Sequence, residues 1–393
     1  MLKQYIQTLA DYQQFWQFSP FQNTLLTTYP WPQDLINALL ELSHSDVERI
    51  DSSFEYQREF FRPWFGDVFS LPKIPQALAP SHQTAPFWLT NGIGGRKLAQ
   101  INAFIEHVPQ RQSVILEWCS GKGHLGRLLA YAGQRQVISV EWQQQLCEIG
   151  KRLAHQHQLA QQFIHADVLN ADLSATWAVA DCAVALHACG DLHGEMLKQA
   201  VTHRCADIML APCCYHLSEP TDYIGFSQAA QRQLHDASLA LTTEQLKLAV
   251  QGQVTAGDRV ARLRQTEVQW RLAYQQLYQH VTGDTKYRAL PSVGKHWFSG
   301  NFEDFAIWAA NYHQLELPSK LNWLQLLEDG HQAAERVARL ELVRHVFRRP
   351  LEVMLVLDRA EYLKESGYRV SVAEFCSYQL TPRNYLIRAA LVN

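Results

Sequence analysis

Between residues 113 and 216 the chain alternates short apolar runs with amphipathic stretches of helical period. Ser113–Trp118, Gln136–Glu141, Gln162–His165, Cys182–His187 and Ala206–Leu210 read as five strands. Helices are expected over Gly126–Tyr131, Gln144–Gln156 and Leu192–Val201. Strands alternating with helices predict a parallel sheet covered on both faces. Upstream, residues 1–110 are helical in pattern and rich in rings. Tyr5, Tyr12, Phe15, Trp16, Phe18 and Phe21 open the series, and Phe54, Tyr56, Phe60, Phe61, Trp64 and Phe65 repeat it. They predict a packed cap, with a stacking surface for bases or an apolar substrate as the alternative. Pro72, Pro75 and Pro80 then break the chain before a helix running from Arg96 to Glu106.

After residue 216 the alternation stops. Residues 217–350 carry helical periodicity, clearest in LTTEQLKLAVQG, RLRQTEVQWRLAYQQLYQHV and HQAAERVARLELVRHVF. It resumes with a helix over Leu351–Ser366, ended by Gly367, and two β runs, Tyr368–Phe375 and Tyr385–Val392. The expected fold is α/β: a Rossmann-like sheet of seven strands with an antiparallel final pair. It has an N-terminal helical cap and a long helical insertion between strands 5 and 6. The expected division is 1–110 (cap), 111–216 (first part of the sheet domain), 217–350 (insertion) and 351–393 (last helix and strands).

Composition narrows this picture in three ways. With 393 residues the chain is long for one core, and 47% hydrophobic against 19% charged residues is a globular balance. No run approaches eighteen apolar residues, so no membrane span is expected. MLKQYIQTLADYQQF lacks the apolar core and small-residue cleavage site of a signal peptide. Cys119, Cys147, Cys182, Cys189, Cys205, Cys213, Cys214 and Cys376 fall largely in apolar runs, which suits free thiols in a reducing, cytoplasmic setting. The net charge of -3 gives no overall attraction to nucleic acid. Two local basic clusters stand out. Arg259, Arg262, Arg264, Arg271, Lys286, Arg288 and Lys295 outnumber Asp258, Glu267 and Asp284, and Arg344, Arg348 and Arg349 form the second. They read as a solvated helix face or, if they meet above the sheet edge, as a phosphate-contacting wall.

The chemistry sits at the carboxyl ends of the strands, where open α/β sheets bind ligands. The first strand runs into Glu117-Trp118-Cys119-Ser120-Gly121-Lys122-Gly123-His124-Leu125-Gly126. Glycines here let the backbone turn tightly and approach a ligand. Glu117 would crowd a diphosphate but suits the cationic amino acid end of S-adenosylmethionine, directly or through water. Glu141, twenty residues beyond Gly121, is placed to accept both ribose hydroxyls, with Trp142 flanking sugar or adenine. Asp167 is offered to the adenine amino group or caps a loop. Cys119, Gly121, Gly123 and His187 complete the expected cofactor set. His187 is either a proton acceptor or a holder of the backbone around the sulfonium. Asp191 is a catalytic candidate or a helix cap. Cys213, Cys214, Tyr215 and His216 suggest a substrate-pocket wall, a base with its orienter, metal ligands, or a Cys nucleophile for methylation at a pyrimidine carbon. Neighbours in sequence converge poorly on one ion, so no metal is expected.

LEWCSGKGHLGRLLA, VALHACGDL and APCCYH together resemble the methyltransferase domain shared by the methyltransferase-like 25 proteins and the glutathione S-transferase C-terminal-domain-containing protein. A related block occurs in the tRNA 2'-O-methyltransferases of the acceptor stem. The resemblance covers 111–216 and extends to the 351–393 tail. It implies a class I methyltransferase using S-adenosylmethionine. Glu117, Gly121 and Gly123 match the cofactor loop, Glu141 the ribose acid, His187 the fourth-strand motif, and Cys213, Cys214 and His216 the fifth. The tRNA group's N-terminal Cys/His zinc-finger spacing is missing, as is the Asn-Pro-Pro-Tyr motif of many exocyclic-amine methyltransferases. The expected function is methylation of RNA, a tRNA or an rRNA. A protein methyltransferase and a non-catalytic cofactor-binding adaptor are the alternatives.

Overall fold

The computed structural model describes residues 1–26, 28–77, 85–109, 114–133, 135–251 and 258–392. Pro80, Ser113 and the side chain of Asp258 lie outside the described residues. By packing, the chain forms two compact units: 1–10, 71–252 and 349–393 make the first, 11–70 and 253–348 the second.

Among the described residues, the first unit holds seven strands: β1 (Ile115–Trp118), β2 (Val137–Glu141), β3 (Gln161–His165), β4 (Cys182–Cys189), β5 (Asp207–Cys213), β6 (Tyr368–Glu374) and β7 (Tyr385–Leu391). Their order is β3-β2-β1-β4-β5-β7-β6. The first five are parallel, and β7 runs antiparallel to both β5 and β6. This is a Rossmann-like mixed sheet, with its long helical insertion between β5 and β6. β1 and β5 are buried along their whole length, as central strands covered on both faces must be, and so are largely apolar in sequence, with Glu117 and Asp207 as the buried exceptions. The Gly95–Ile105 helix belongs to this unit. Its Ile101 and Phe104 share a core with Ile115, Val184, Met209 and Leu386. The Arg348–Glu365 helix is buried from Pro350 to Ala360, and its buried charged residues Glu352, Asp358 and Arg359 are held by hydrogen bonds and ion pairs.

Two strands outrun their apolar patterns. β4 continues past His187 to Cys189, and β5 past Leu210 to Cys213. His187 adopts φ 69°, which shifts the register after Leu186 and lets Cys189 pair with Cys213. One expected helix is corrected. In LTTEQLKLAVQG, Leu241 and Thr243 bond to the backbone of Tyr223 and Thr221 as an extended pair, and only Gln245–Val250 turns, as a 3-10 helix. The β-branched Thr242-Thr243 pair favours that extended entry.

The second unit is helical. The insertion supplies Asp258–Thr282, Phe302–Tyr312 and Trp323–His345, with Trp270, Tyr274, Phe298 and Phe305 in its core. The N-terminal rings Phe15, Trp16, Phe61 and Phe65 are buried, with Phe15 and Phe65 edge-to-face at 5.0 Å between centroids. They are packing rather than a stacking surface. Among the described residues, no helix is long and apolar enough to cross a membrane.

Candidate active site

The strand order reverses between the parallel neighbours β1 and β4, the switch point at which such sheets open a crevice. The turn after β1 is left-handed at alternate residues: Cys119 (φ 55°), Gly121 (58°) and Gly123 (67°). Cys119 is the one that carries a side chain, in a conformation costing about 1–2 kcal/mol for an L-residue. Gly121 and Gly123 serve different ends. A Cβ at Gly123 would lie 2.3 Å from the Phe163 ring and 2.5 Å from Gln161, so this glycine exists for packing. A Cβ at Gly121 would meet nothing within 4 Å. The space over Gly121 is open to a ligand.

Glu117 supports the turn from below. It is 3% exposed, and its Oε2 accepts from Ser139 Oγ at 2.6 Å. Gln161 Nε2 ties Ser139 Oγ (2.9 Å) to the Gly123 carbonyl (3.0 Å). Burial pushes the Glu117 carboxyl up to about 7, opposed by hydrogen bonds from Ser139 and the Gly126 backbone and by Lys97.

Glu141, at the end of β2, accepts the Gly121 N–H at 2.9 Å and the Gln143 N–H at 3.0 Å, one on each oxygen. Each oxygen keeps a lone pair, so the carboxylate fits a ribose diol as well as closing the turn. Trp142 beside it is 66% exposed, a free ring at the rim. Asp167 is engaged by its own loop, accepting from Leu169 N at 3.1 Å and Asn170 Nδ2 at 2.7 Å.

The ends of β4 and β5 bring a second group together. His187 Nε2 meets Gln100 Oε1 at 3.3 Å. Gln100 Nε2 is itself held by the Leu380 carbonyl at 3.2 Å, which fixes the amide. His187 therefore donates from Nε2 and keeps Nδ1 as an acceptor, buried and without a partner. Burial, then Lys97 and Arg383, push this imidazole down to about 3, so it is neutral at physiological pH. Asp191 opens the Asp191–Thr202 helix and pins the loop after β5, accepting from Ser218 Oγ at 2.5 Å and Glu219 N at 2.9 Å.

Cys189 and Cys213 lie with their sulfurs 3.4 Å apart, and Cys214 joins them, all three Sγ atoms falling within 4.8 Å of one another. Neighbours on a strand point to opposite faces, but Cys214 has left the strand with φ 49°, which swings its thiol to the side of Cys213. Hydrogen bonds from Cys189 and Cys213 hold the Cys214 thiol well below its ordinary range, while the same contacts raise that of Cys213. His216 is half-buried with an unpartnered Nδ1.

Glu117 and Glu141 thus support one turn from β1 and β2, while His187 and the thiols line the neighbouring strand ends. Asp167 and Asp191 each accept one backbone and one side-chain donor from a loop. Sequence reasoning missed Lys97 and Gln100, which come from a helix outside the strand-helix rhythm, and Cys189 as the third thiol. The run LHACGD carried the only hint of the last. The second basic cluster is spent on ion pairs: Arg344 with Glu341 (2.9 Å), Arg348 with Asp51 (2.7 Å), Arg349 with Glu352 and Glu374 (both 2.7 Å).

Residues 96–220 match a family model described as a methyltransferase domain. No curated protein matches. Similar solved structures include the Pyrococcus abyssi tRNA (uracil-54, C5)-methyltransferase in complex with S-adenosyl-L-homocysteine, at 18% identity over 28% of this chain and 27% of that one, TM-score 0.24. Geranyl diphosphate C-methyltransferase from Streptomyces coelicolor A3(2) is 12% identical over 40% of this chain and 64% of its own, TM-score 0.26. The METTL16 MTase domain is 13% identical over 50% and 73%, TM-score 0.25. The chain thus spans about a quarter of the first of these and under two thirds of the second. Sheet order and family match agree: residues 96–220 carry a methyltransferase domain on a Rossmann-like sheet, a fold and domain consistent with S-adenosylmethionine as cofactor.

Proposed function

We propose that the chain transfers the methyl group of S-adenosylmethionine to RNA, a tRNA or an rRNA. The observation that carries methyl transfer is the open space over Gly121, closed on one side by Glu141. The bound cofactor supplies a methyl carbon activated by a positively charged sulfur. The chain's own residues align and enclose: the turn accepts the amino acid end and Glu141 the ribose. His187, neutral and fixed by Gln100, offers Nδ1 as an acceptor. A group held at about 3 is matched to orienting an acceptor rather than to taking its proton near pH 7. Cys213 and Cys214 border the acceptor side.

Support for RNA comes from the first basic cluster. Arg259, Arg262 and Arg264 are exposed on the opening turns of the Asp258–Thr282 helix, and Lys286 and Lys295 are exposed nearby in sequence. Cations free to meet phosphates give sequence-independent affinity that falls with salt. The test is tritiated methyl transfer to separated small RNA, ribosomal RNA and protein fractions. Label in RNA is expected. Arg259→Gln/Arg262→Gln/Arg264→Gln should lower it about 10-fold or more at moderate salt and flatten the log–log salt dependence of binding by about 2–3. Label only in protein selects the protein alternative, and cofactor binding without transfer selects the adaptor.

A further inference from the structure

Three thiols from two adjacent strands meet at the end of the sheet. Cys189 ends β4, Cys213 ends β5, and Cys214 is turned back beside Cys213 by its left-handed backbone. A tetrahedral zinc site with bonds of about 2.3 Å places its sulfurs about 3.8 Å apart. The three Sγ atoms, 3.4 Å apart at Cys189–Cys213 and all within 4.8 Å, already bracket that spacing. We propose that Cys189, Cys213 and Cys214 bind one soft or borderline divalent cation of the zinc class through three thiolates, leaving a fourth, exchangeable position.

Charge and hydrogen-bonding capacity around the cluster agree with this. Binding requires all three sulfurs as thiolates, and three thiolates with a divalent cation carry one net negative charge. Two cations answer it. Lys97 acts on Cys213, and Arg383 acts on both Cys189 and Cys214. Arg383 is itself anchored on the Val250 carbonyl at 3.1 Å. On the other side, His187 and His216 are close enough for the charge of Cys214 to act on both. Each has a buried Nδ1 without a partner, so a metal-bound water at the fourth position would find acceptors there. Three protein ligands and one open position are the arrangement of metal sites that exchange a ligand, as opposed to closed structural ones.

The full chain, purified reduced and stripped of metal, is titrated with Co2+ and then with Zn2+. One Co2+ per chain is expected, with a near-ultraviolet thiolate-to-cobalt band of three-thiolate intensity that Zn2+ abolishes. Cys189→Ser and Cys214→Ser should each lose about a third of the band and weaken zinc binding about 100-fold or more, beyond the loss typical of outer-shell changes. Cys376→Ser, outside the cluster, should change neither. The proposal is overturned if the unmutated chain binds S-adenosylmethionine but gives no such band. It is also overturned if the band survives Cys189→Ser intact, or if the chain isolated without added reductant or chelator carries a Cys189–Cys213 disulfide and no metal. Because the unmutated chain gives the main readout, a variant that fails to fold does not remove the test. The readout is binding, so failure to methylate RNA leaves it standing.

Discussion

Substituting alanine at the two glycines of the turn separates cofactor binding from folding. Both have positive φ, 58° at Gly121 and 67° at Gly123, so each alanine incurs a backbone cost of about 1–2 kcal/mol. At Gly123 the new methyl would sit 2.3 Å from the Phe163 ring, and forcing those groups apart adds about 1–3 kcal/mol of overpacking. At Gly121 the methyl meets no protein atom within 4 Å. Its remaining effect is to occupy the space where the cofactor approaches. Gly123→Ala should therefore lose about 2–5 kcal/mol of unfolding free energy by urea denaturation. Gly121→Ala should lose only about 1–2 kcal/mol, yet bind S-adenosylmethionine at least about 10-fold more weakly by calorimetry, or about 1.4 kcal/mol. A folded Gly121→Ala protein with unchanged cofactor affinity refutes the placement of the cofactor over this turn.

Glu117 gives a pH signature. Its carboxyl, raised from 4.5 to about 7 by burial and faced by Lys97, Arg127 and Glu141, keeps its proton in the folded state over a range where the unfolded chain loses it. Its contribution to stability therefore falls as pH rises from 4.5 to about 7. A cofactor ammonium favours the ionised form, so affinity should strengthen from pH 6 to 8 and then level, and Glu117→Gln should abolish the slope; a flat profile in the unmutated chain counts against the pairing. Asp358 is fully buried and accepts from Phe226 N (2.7 Å), Ser227 N (2.8 Å), Ser227 Oγ (2.6 Å) and the Tyr223 hydroxyl. Asp358→Ala strands these donors and should cost about 3–5 kcal/mol in denaturant titration, and a loss under about 1 kcal/mol would show that they find other acceptors.

The sequence by itself determined the sheet and the glycine turn that follows its first strand. Central parallel strands are buried on both faces, so Leu116, Val184 and Met209 lie in apolar runs that need no partner to be read. The return of Tyr368–Glu374 and Tyr385–Leu391 after a long helical stretch was legible for the same reason. So was the turn, because a glycine pair between strand and helix with Glu141 twenty residues on is a local pattern. Tertiary structure decided what depends on distant chain segments meeting. The register shift at His187 and the left-handed Cys214 carry β4 and β5 past their apolar runs and gather three thiols that spacing alone held apart. Lys97 and Gln100 reach the strand ends from a helix whose pattern announces only its buried face. Arg344, Arg348 and Arg349 look like a basic patch in one dimension. In three they are consumed by Glu341, Asp51, Glu352 and Glu374, because a charge brought close to an opposite one inside a fold no longer belongs to the surface.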